Sequence, residues 1–295
     1  MFVHPTSRKG LALLVLLSLC LVTPVCGVSL FGQRRLSAPK LSLPTSRIVG
    51  IGLNVHSEKM PLDKLKAIGI KWVRIDLGRG LPPSAVRGLV SHYRDFGQLW
   101  TDHQEGPDPV AAAKELLDAG VTDIEVYNEP EQAHISPSDY ARKFQEIRSA
   151  VNGRARLYGP SIGTWDQAKR YLNDCIDAGM RPDVLSFHGY LQNDATQLSK
   201  WAADAKSYGI PVVISEIGFP TRLGAIPYRD KMHKSMGPLF IETRDALKDT
   251  PWCLYDGPNP AGDNDTGLFD WDGRGFNKPN RNYDDIVAAL AREKG

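Results

Sequence analysis

The 295-residue chain has the composition of an ordinary globular protein, with 42% hydrophobic and 24% charged residues. This length is enough to form one large hydrophobic core. The formal net charge is +2, and Arg8 and Lys9 near the N-terminus account for that excess. The rest of the chain is nearly neutral and has no basic stripe, so nucleic acid is not expected as a partner.

Residues 1–27 have the order of a secretory signal peptide. Arg8 and Lys9 precede an apolar run over residues 11–22, and a short segment ends at Gly27. The apolar run is too short to cross a bilayer comfortably as a permanent helix. We predict cleavage after Gly27, a secreted or periplasmic protein, and no stable membrane insertion afterwards. An uncleaved membrane anchor is the alternative.

Residues 28–46 are predicted to form a flexible linker, because they combine Arg34 and Arg35 with several Ser and Pro residues. Residues 47–295 are then predicted to form a single folded domain. Of the four cysteines, Cys20 and Cys26 lie in the predicted signal peptide. The other two are Cys175 and Cys253, which fall on elements that the topology separates. We expect two buried thiols and no disulfide.

From residue 48 onward, patterns typical of strands and helices alternate. In the first half, strands are predicted at residues 48–56, 70–77 and 98–102, and helices at 61–68, 83–96 and 109–119. One region is ambiguous. The apolar residues between 86 and 96 have helical spacing, but an alternative makes residues 86–92 the strand and nearly removes the second helix.

The second half gives clearer signals. Strands are predicted at residues 122–129, 155–163, 183–190, 212–217 and 252–256. Helices are predicted at 137–151 with Ser136 as N-cap, 166–178, 195–208, 228–247 with a break at Gly237-Pro238, and 283–293. Eight strand–helix units in about 250 residues predict a (β/α)8 barrel. A doubly wound open sheet is the alternative, although no Gly-rich phosphate turn follows the first strand.

Two glutamates stand near the C-terminal ends of predicted strands. Glu129 precedes Pro130, which cannot donate to a ladder and restricts the residue before it, so the fourth strand should stop at about Glu129. Glu216 lies in an apolar run that is typical of a strand buried on both faces. Barrel enzymes carry their sites at the C-terminal ends of the strands, so both glutamates are predicted to face one cavity. Two unrelated surface glutamates are the alternative.

Together with their strand positions, several short motifs resemble clan A of the glycoside hydrolases, and families 5 and 39 in particular. They are Asn128-Glu129-Pro130, Ser215-Glu216-Ile217-Gly218, His188-Gly189-Tyr190, Trp72-Val73-Arg74-Ile75, Tyr158-Gly159-Pro160, Gly267-Leu268-Phe269-Asp270 and Lys278-Pro279. The resemblance implies hydrolysis by double displacement with retention at the anomeric carbon. It also implies that Glu129 is the acid/base and Glu216 the nucleophile. Two carboxylates about 5 Å apart repel when both are ionised, so one keeps a proton for the leaving group.

The resemblance also implies supporting roles. Arg74 would hold Glu216 ionised, Tyr190 would donate to Glu216, His188 would line the sugar site, and Asn128 would bind the hydroxyl next to the reacting carbon. Tyr255 stands where many clan members have a Trp that floors the sugar site. Each of these residues has an ordinary alternative role, as a core aromatic, a structural ion pair or a turn residue.

Other candidates come from their positions. Asn54 and His56 end the first strand on one face, and Trp165 and Trp271 are predicted in loops where indoles commonly stack on sugars; packing roles are the alternative. Asp76 and Glu131 are acids near the rim, expected to be solvated. Whether His92 or His103 lines the site stays open. No metal-binding spacing occurs and no cofactor is expected.

The leading hypothesis is therefore a secreted retaining glycoside hydrolase that cleaves β-glycosidic bonds, more often inside a polysaccharide than at its end. Its partner would be a polysaccharide or oligosaccharide, and a monomer is expected. A catalytically silent glycan-binding barrel is the alternative from another class of function. A barrel enzyme of unrelated chemistry is disfavoured, because the sequence has no phosphate turn and no metal cluster.

Overall fold

A computed structural model describes residues 43, 45–77, 80–101, 108–190, 195–218, 235–258 and 267–294, and all structural statements refer to these. The predicted signal peptide lies outside them, as do Cys20, Cys26, His103 and all of the predicted linker except residues 43, 45 and 46. No helix in the described residues is both long and apolar enough to cross a membrane.

Eight parallel strands close into a barrel in the order of the sequence, and a helix follows each strand. The strands are β1 Ile51–Asn54, β2 Trp72–Asp76, β3 Gly97–Thr101, β4 Asp123–Glu125, β5 Arg156–Thr164, β6 Val184–His188, β7 Val212–Gly218 and β8 Trp252–Tyr255. The helices are α1 Leu62–Ala67, α2 Pro83–His92, α3 Pro109–Asp118, α4 Pro137–Val151, α5 Trp165–Asp177, α6 Ala195–Lys206, α7 Met236–Ala246 and α8 Arg281–Arg292. The predicted (β/α)8 barrel is therefore confirmed.

The ambiguous region resolves in favour of the first prediction. Residues 83–92 form α2 and residues 97–101 form β3, so the alternative strand at 86–92 is wrong. The predicted N-cap is also confirmed, because the Ser136 hydroxyl accepts from the Asp139 backbone N–H at 3.1 Å. An antiparallel hairpin between β8 and α8 was not predicted; its strands are β9 Phe269–Trp271 and β10 Phe276–Pro279.

One boundary prediction is wrong. β4 ends at Glu125 rather than near Glu129, because Tyr127 and Glu129 adopt positive φ values of 59° and 46° that no strand allows. Helix α7 begins at Met236, so Gly237-Pro238, where a break was predicted, lie in its first turn; the predicted helical residues 228–234 lie outside the described residues. A proline costs little there because its missing N–H would have no partner within the helix.

The barrel interior changes character along its axis. At the N-terminal end it is filled by a cluster of mainly apolar residues, namely Ile48, Trp72, Leu99, Tyr158, Val184, Val213 and Cys253. Because alternate residues of a strand point to the same face, the next inward positions after Trp72 are Arg74 and Asp76, and the one after Cys253 is Tyr255. The apolar plug therefore supports a polar layer at the C-terminal end of the barrel.

The N-terminal end of the barrel is closed by the residues that lead into β1. Ile48 is buried in the interior cluster, and the Ser46 hydroxyl donates to Asp123 Oδ1 at 3.1 Å. Ser46 also lies 3.1 Å from the Tyr158 hydroxyl. A domain that starts at residue 47 therefore leaves out one side chain that bonds to the barrel.

Cys175 and Cys253 are free and buried, as predicted. Burial raises the pKa of the Cys175 thiol to about 12. Neither sulfur is therefore poised as a nucleophile in the folded protein.

Candidate active site

His188 lies between the two strand-end glutamates. It ends β6 and is fully buried, and its Nδ1 is 2.9 Å from Glu129 Oε1 and 3.5 Å from Glu216 Oε2. Its Nε2 faces the Ser161 hydroxyl at 3.1 Å. Glu129 and Glu216 are separated by most of three strand–helix units in the sequence, yet both meet a single ring nitrogen.

The charges around His188 favour its protonated form. Burial lowers its pKa, but the Glu216 carboxylate and the hydrogen bond to Glu129 outweigh burial and raise the pKa above its ordinary value. A protonated imidazole between two carboxylates reduces their mutual repulsion. The ring therefore permits two acids to occupy one small volume.

Arg74 is the centre of a second set of contacts, directly below Glu216. The guanidinium is fully buried and donates through Nη1 to Glu216 Oε1 at 2.5 Å, through Nε to Glu125 Oε2 at 2.6 Å, and through Nη2 to Asn128 Oδ1 at 2.7 Å. Burial opposes its charge, but the Glu125 and Glu216 carboxylates raise the pKa of Arg74 well above its usual value. The planar fork thus orients the nucleophile candidate and Asn128 together.

Glu125 is a site residue that the sequence analysis missed. Its carboxylate is fully buried on β4 and bonds to Arg74. The available signal was its parity: two residues after Asp123 it points into the barrel, and a buried carboxylate requires a cation.

Tyr190 holds the second oxygen of Glu216, to which its hydroxyl donates a hydrogen bond. Its ring packs edge-on against His188 at 5.7 Å and against Tyr255 at 5.8 Å between centroids. Gly218 makes room for it, since a Cβ there would lie 2.7 Å from Tyr190 Cε1. Burial and the Glu216 carboxylate raise the pKa of Tyr190, so its hydroxyl stays a donor.

Beside Arg74, His56 lies between two aspartates. Its Nδ1 is 2.8 Å from Asp76 Oδ2, and its Nε2 is 3.4 Å from Asp256 Oδ2. Burial lowers the pKa of His56, but its hydrogen bonds to Asp256 and Asp76 dominate and raise it to about 10. Tyr255 packs edge-on against the imidazole at 5.6 Å. Arg74 Nη1 lies 3.5 Å from Asp76 Oδ1, which links this group to Glu216.

Of two acids expected to be solvated, one is buried and the other is half-buried. Asp76 is buried and paired as just described. Glu131 Oε1 accepts from the Gly163 backbone N–H at 2.6 Å, and burial raises the pKa of Glu131. Asp76 ends β2 and Glu131 lies in the connection between β4 and α4, and sequence position alone does not reveal the groups that cover them.

The expectation that Trp165 lies in an exposed loop is wrong. It begins α5 and is 1% exposed, with its ring 4.9 Å from that of Phe187, and its indole N–H donates to Asp204 at 2.7 Å. Trp165 packs between the barrel and the surrounding helices and does not face the site around Glu129 and Glu216. Trp271 is 57% exposed on β9. His92 ends α2 and contacts the Met60 carbonyl at 3.0 Å, away from the two glutamates.

Backbone strain is concentrated at this end of the barrel. His56, Tyr127, Glu129 and Ser161 all adopt φ values between 46° and 59°, a region that costs a residue with a Cβ roughly 1–2 kcal/mol. Such strain persists where surrounding contacts over-determine the conformation, and it commonly marks functional sites. Within the described residues, no group of His, Cys, Asp and Glu has the geometry to hold a metal ion.

Several known proteins are similar to this chain. A GH128 (subgroup I) endo-β-1,3-glucanase from Amycolatopsis mediterranei in complex with laminaritriose is 16% identical, with a TM-score of 0.54, over 82% of this chain and 99% of that one. A GH128 (subgroup IV) endo-β-1,3-glucanase from Lentinula edodes is 16% identical, with a TM-score of 0.57, over 82% and 98%. A glucosidase from Croceicoccus marinus is 12% identical, with a TM-score of 0.59, over 83% and 70%. At these identities the likeness shows a shared fold.

No curated protein sequence matches the chain. Residues 91–241 match the family model described as the glycosyl hydrolase catalytic core. This match covers just over half of the 295 residues and includes Glu129, His188 and Glu216. The chain therefore belongs to the glycosyl hydrolase catalytic core family.

Proposed function

We propose that this glycoside hydrolase cleaves β-glycosidic bonds with retention, by double displacement, and that Glu129 and Glu216 are its catalytic pair. The observation that carries the proposal is their approach to His188 Nδ1, at 2.9 Å and 3.5 Å. So close an approach favours the retaining spacing of about 5–5.5 Å over the roughly 6.5–9.5 Å that an inverting enzyme needs for a water molecule.

The environments of the two carboxylates support different roles. Both oxygens of Glu216 are held, one by Arg74 and the other by Tyr190. Glu129 is more open, with 21% of its side chain exposed at the strained β4–α4 connection. A carboxylate held at both oxygens suits a nucleophile, and a more exposed one can reach the leaving group and later a water molecule.

The proposed reaction has two balanced steps. In the first, a Glu216 oxygen attacks the anomeric carbon while Glu129 gives its proton to the glycosidic oxygen, so the C–O bond breaks and the sugar alcohol leaves. In the second, Glu129 takes a proton from water, the water oxygen attacks the anomeric carbon, and Glu216 leaves as a carboxylate. His188 holds both carboxylates in place. Asn128, which is held by Arg74, would bind the sugar hydroxyl next to the anomeric carbon.

For the substrate, we propose a β-1,3-glucan cut at internal bonds. Two of the similar structures are named endo-β-1,3-glucanases, and one of them holds laminaritriose. Membership of clan A, with likeness to families 5 and 39, is part of the same proposal. So are export by the signal peptide at residues 1–27 and action as a monomer.

Substitution of each glutamate tests the mechanism. Glu216→Gln should abolish turnover of every substrate, because no leaving group replaces a missing nucleophile. Glu129→Ala should greatly reduce the hydrolysis of laminarin. It should only slightly slow the first step for an activated aryl glycoside, because the aryl leaving group departs without an acid. Added azide should then restore turnover of the intermediate and yield a glycosyl azide of retained configuration. Glu131→Ala is the matched control, since it removes a nearby carboxylate and should show no azide rescue.

Other outcomes would contradict specific parts of the proposal. Azide rescue in the Glu216 variant rather than the Glu129 variant would exchange their roles. Release of the opposite anomer by the wild type, followed by NMR, would show inversion. Oligosaccharide binding without turnover across a broad panel of β-glycosides would favour the silent-barrel alternative.

A further inference from the structure

We propose that His56 and Asp256 form a subsite that binds one hydroxyl of the reacting sugar. The inference rests on the proposed glycosidase function, because it places this sugar next to Glu216. It assigns a binding role to a pair of side chains at the ends of β1 and β8 that take no part in the two-step reaction described above.

The contact between the two side chains is open enough to share with a ligand. His56 Nε2 lies 3.4 Å from Asp256 Oδ2, longer than the 2.8 Å contact of its Nδ1 with Asp76. About a third of the His56 side chain is exposed, at 32%. A hydroxyl is both donor and acceptor, so one sugar hydroxyl can accept from Nε2–H and donate to the Asp256 carboxylate.

Asp256 also has unused hydrogen-bonding capacity. The residue is 2% exposed, and within the described part of the chain its Oδ1 has no hydrogen-bond partner. Asn54 Nδ2, in the same corner of the barrel, is likewise buried without a partner among the described residues. Such unsatisfied groups are uncommon in native proteins and indicate a missing polar partner.

The position of the pair identifies the sugar. Tyr255 links it to the reaction centre, with its ring 5.6 Å from His56 and 5.8 Å from Tyr190, whose hydroxyl bonds to Glu216. In the closed order of eight strands, β8 lies directly across the barrel from β4, which leads to Glu129, and β1 is the neighbour of β8. Because Glu129 faces the leaving group, the opposite side receives the sugar that Glu216 attacks. Asn128 lies on the Glu129 side of the barrel. The sugar hydroxyl that Asn128 binds is therefore a different one from the hydroxyl that binds His56 and Asp256.

The test combines variants with deoxy substrates in double-mutant cycles. The enzyme and its Asp256→Asn and His56→Gln variants would be assayed for kcat/KM on dinitrophenyl β-glucoside and its monodeoxy analogues. For one deoxy position the wild type should lose roughly 10- to 100-fold, the range for a hydrogen bond to a charged group. On the parent substrate, the kcat/KM of both variants should fall by a similar factor. Removal of the same sugar hydroxyl should then have almost no further effect on either variant. Asp204→Asn, which removes a carboxylate among the outer helices, should behave as the wild type.

The outcomes separate this subsite from the proposed function. If the wild type is active and well-folded variants lose as much kcat/KM as the wild type when a sugar hydroxyl is removed, the proposed subsite is overturned. That result is compatible with the proposed glycosidase function. Asp256→Asn keeps the side-chain shape, so its melting temperature shows whether folding is intact even where His56→Gln is unstable. If laminarin is cut but the aryl glucosides are not, NMR titration of methyl β-glucoside and its deoxy analogues should show the same coupling. A wild type that neither cuts nor binds any of these sugars overturns both proposals.

Discussion

Replacing Arg74 with lysine tests whether one buried guanidinium orients the whole site. Arg74→Lys keeps the positive charge but removes the planar fork. The side chain is 0% exposed and donates to three separate acceptors, on Glu216, Glu125 and Asn128. An ammonium on a flexible stem cannot reach all three in the same geometry.

The expected loss follows from the contacts. A hydrogen bond to a charged group contributes about 1.5–3 kcal/mol, and a buried carboxylate left without its cation costs about 3–5 kcal/mol. We therefore expect Arg74→Lys to lower the free energy of unfolding by roughly 3–5 kcal/mol. At about 2–4 °C per kcal/mol, the melting temperature should fall by roughly 6–20 °C. Activity should fall at least about 100-fold, because Glu216 loses its orientation.

Arg156→Lys is the matched control. Arg156 also forms a fork, with Nε and Nη2 donating to Asp123 at 2.7 Å and 2.9 Å, but at the N-terminal end of the barrel and with 12% exposure. Arg156→Lys should lower the free energy of unfolding by only about 1.5–3 kcal/mol, the value of one hydrogen bond to a charged group, and should keep its activity. Calorimetry and kcat/KM on laminarin measure both effects. Equal melting temperatures and equal activities for the two variants would refute the orienting role of Arg74.

Three further predictions concern single residues. His56, with its pKa raised to about 10 from 6.5, contributes stability that is fully present below pH 6.5 and is lost as the pH rises through 10; the difference in unfolding free energy between the wild type and His56→Gln should shrink across that window, and a constant difference would contradict it. Trp165→Phe should lower the melting temperature by removing the bond to Asp204, while KM on laminarin stays unchanged; a raised KM would restore a sugar-stacking role. Cys175 and Cys253 should resist a thiol reagent in the folded protein and both react in denaturant without prior reduction, as mass spectrometry would show.

The sequence by itself determined the number, order and type of the barrel elements. Helical and strand periodicities, proline at helix starts and glycine after helix ends are local signals, so the eight units and the Ser136 cap could be found without a structure. It also identified the two glutamates of the candidate site, since Glu129 and Glu216 stand in short recognisable motifs. The end of β4 was misplaced, because the positive φ of Tyr127 and Glu129 arises from packing around the site.

Only the tertiary structure decided which charges meet. Arg74 lies 51 positions from Glu125 and 142 from Glu216, and His56 lies 200 from Asp256. Local patterns carry no information about such distances, although Coulomb energies depend on them steeply. For the same reason, the sequence predicted that Asp76 and Glu131 are solvated and that Trp165 stacks on a sugar. Barrel closure brings these residues next to strands and helices that are distant in the sequence, where burial makes an unpaired polar group costly.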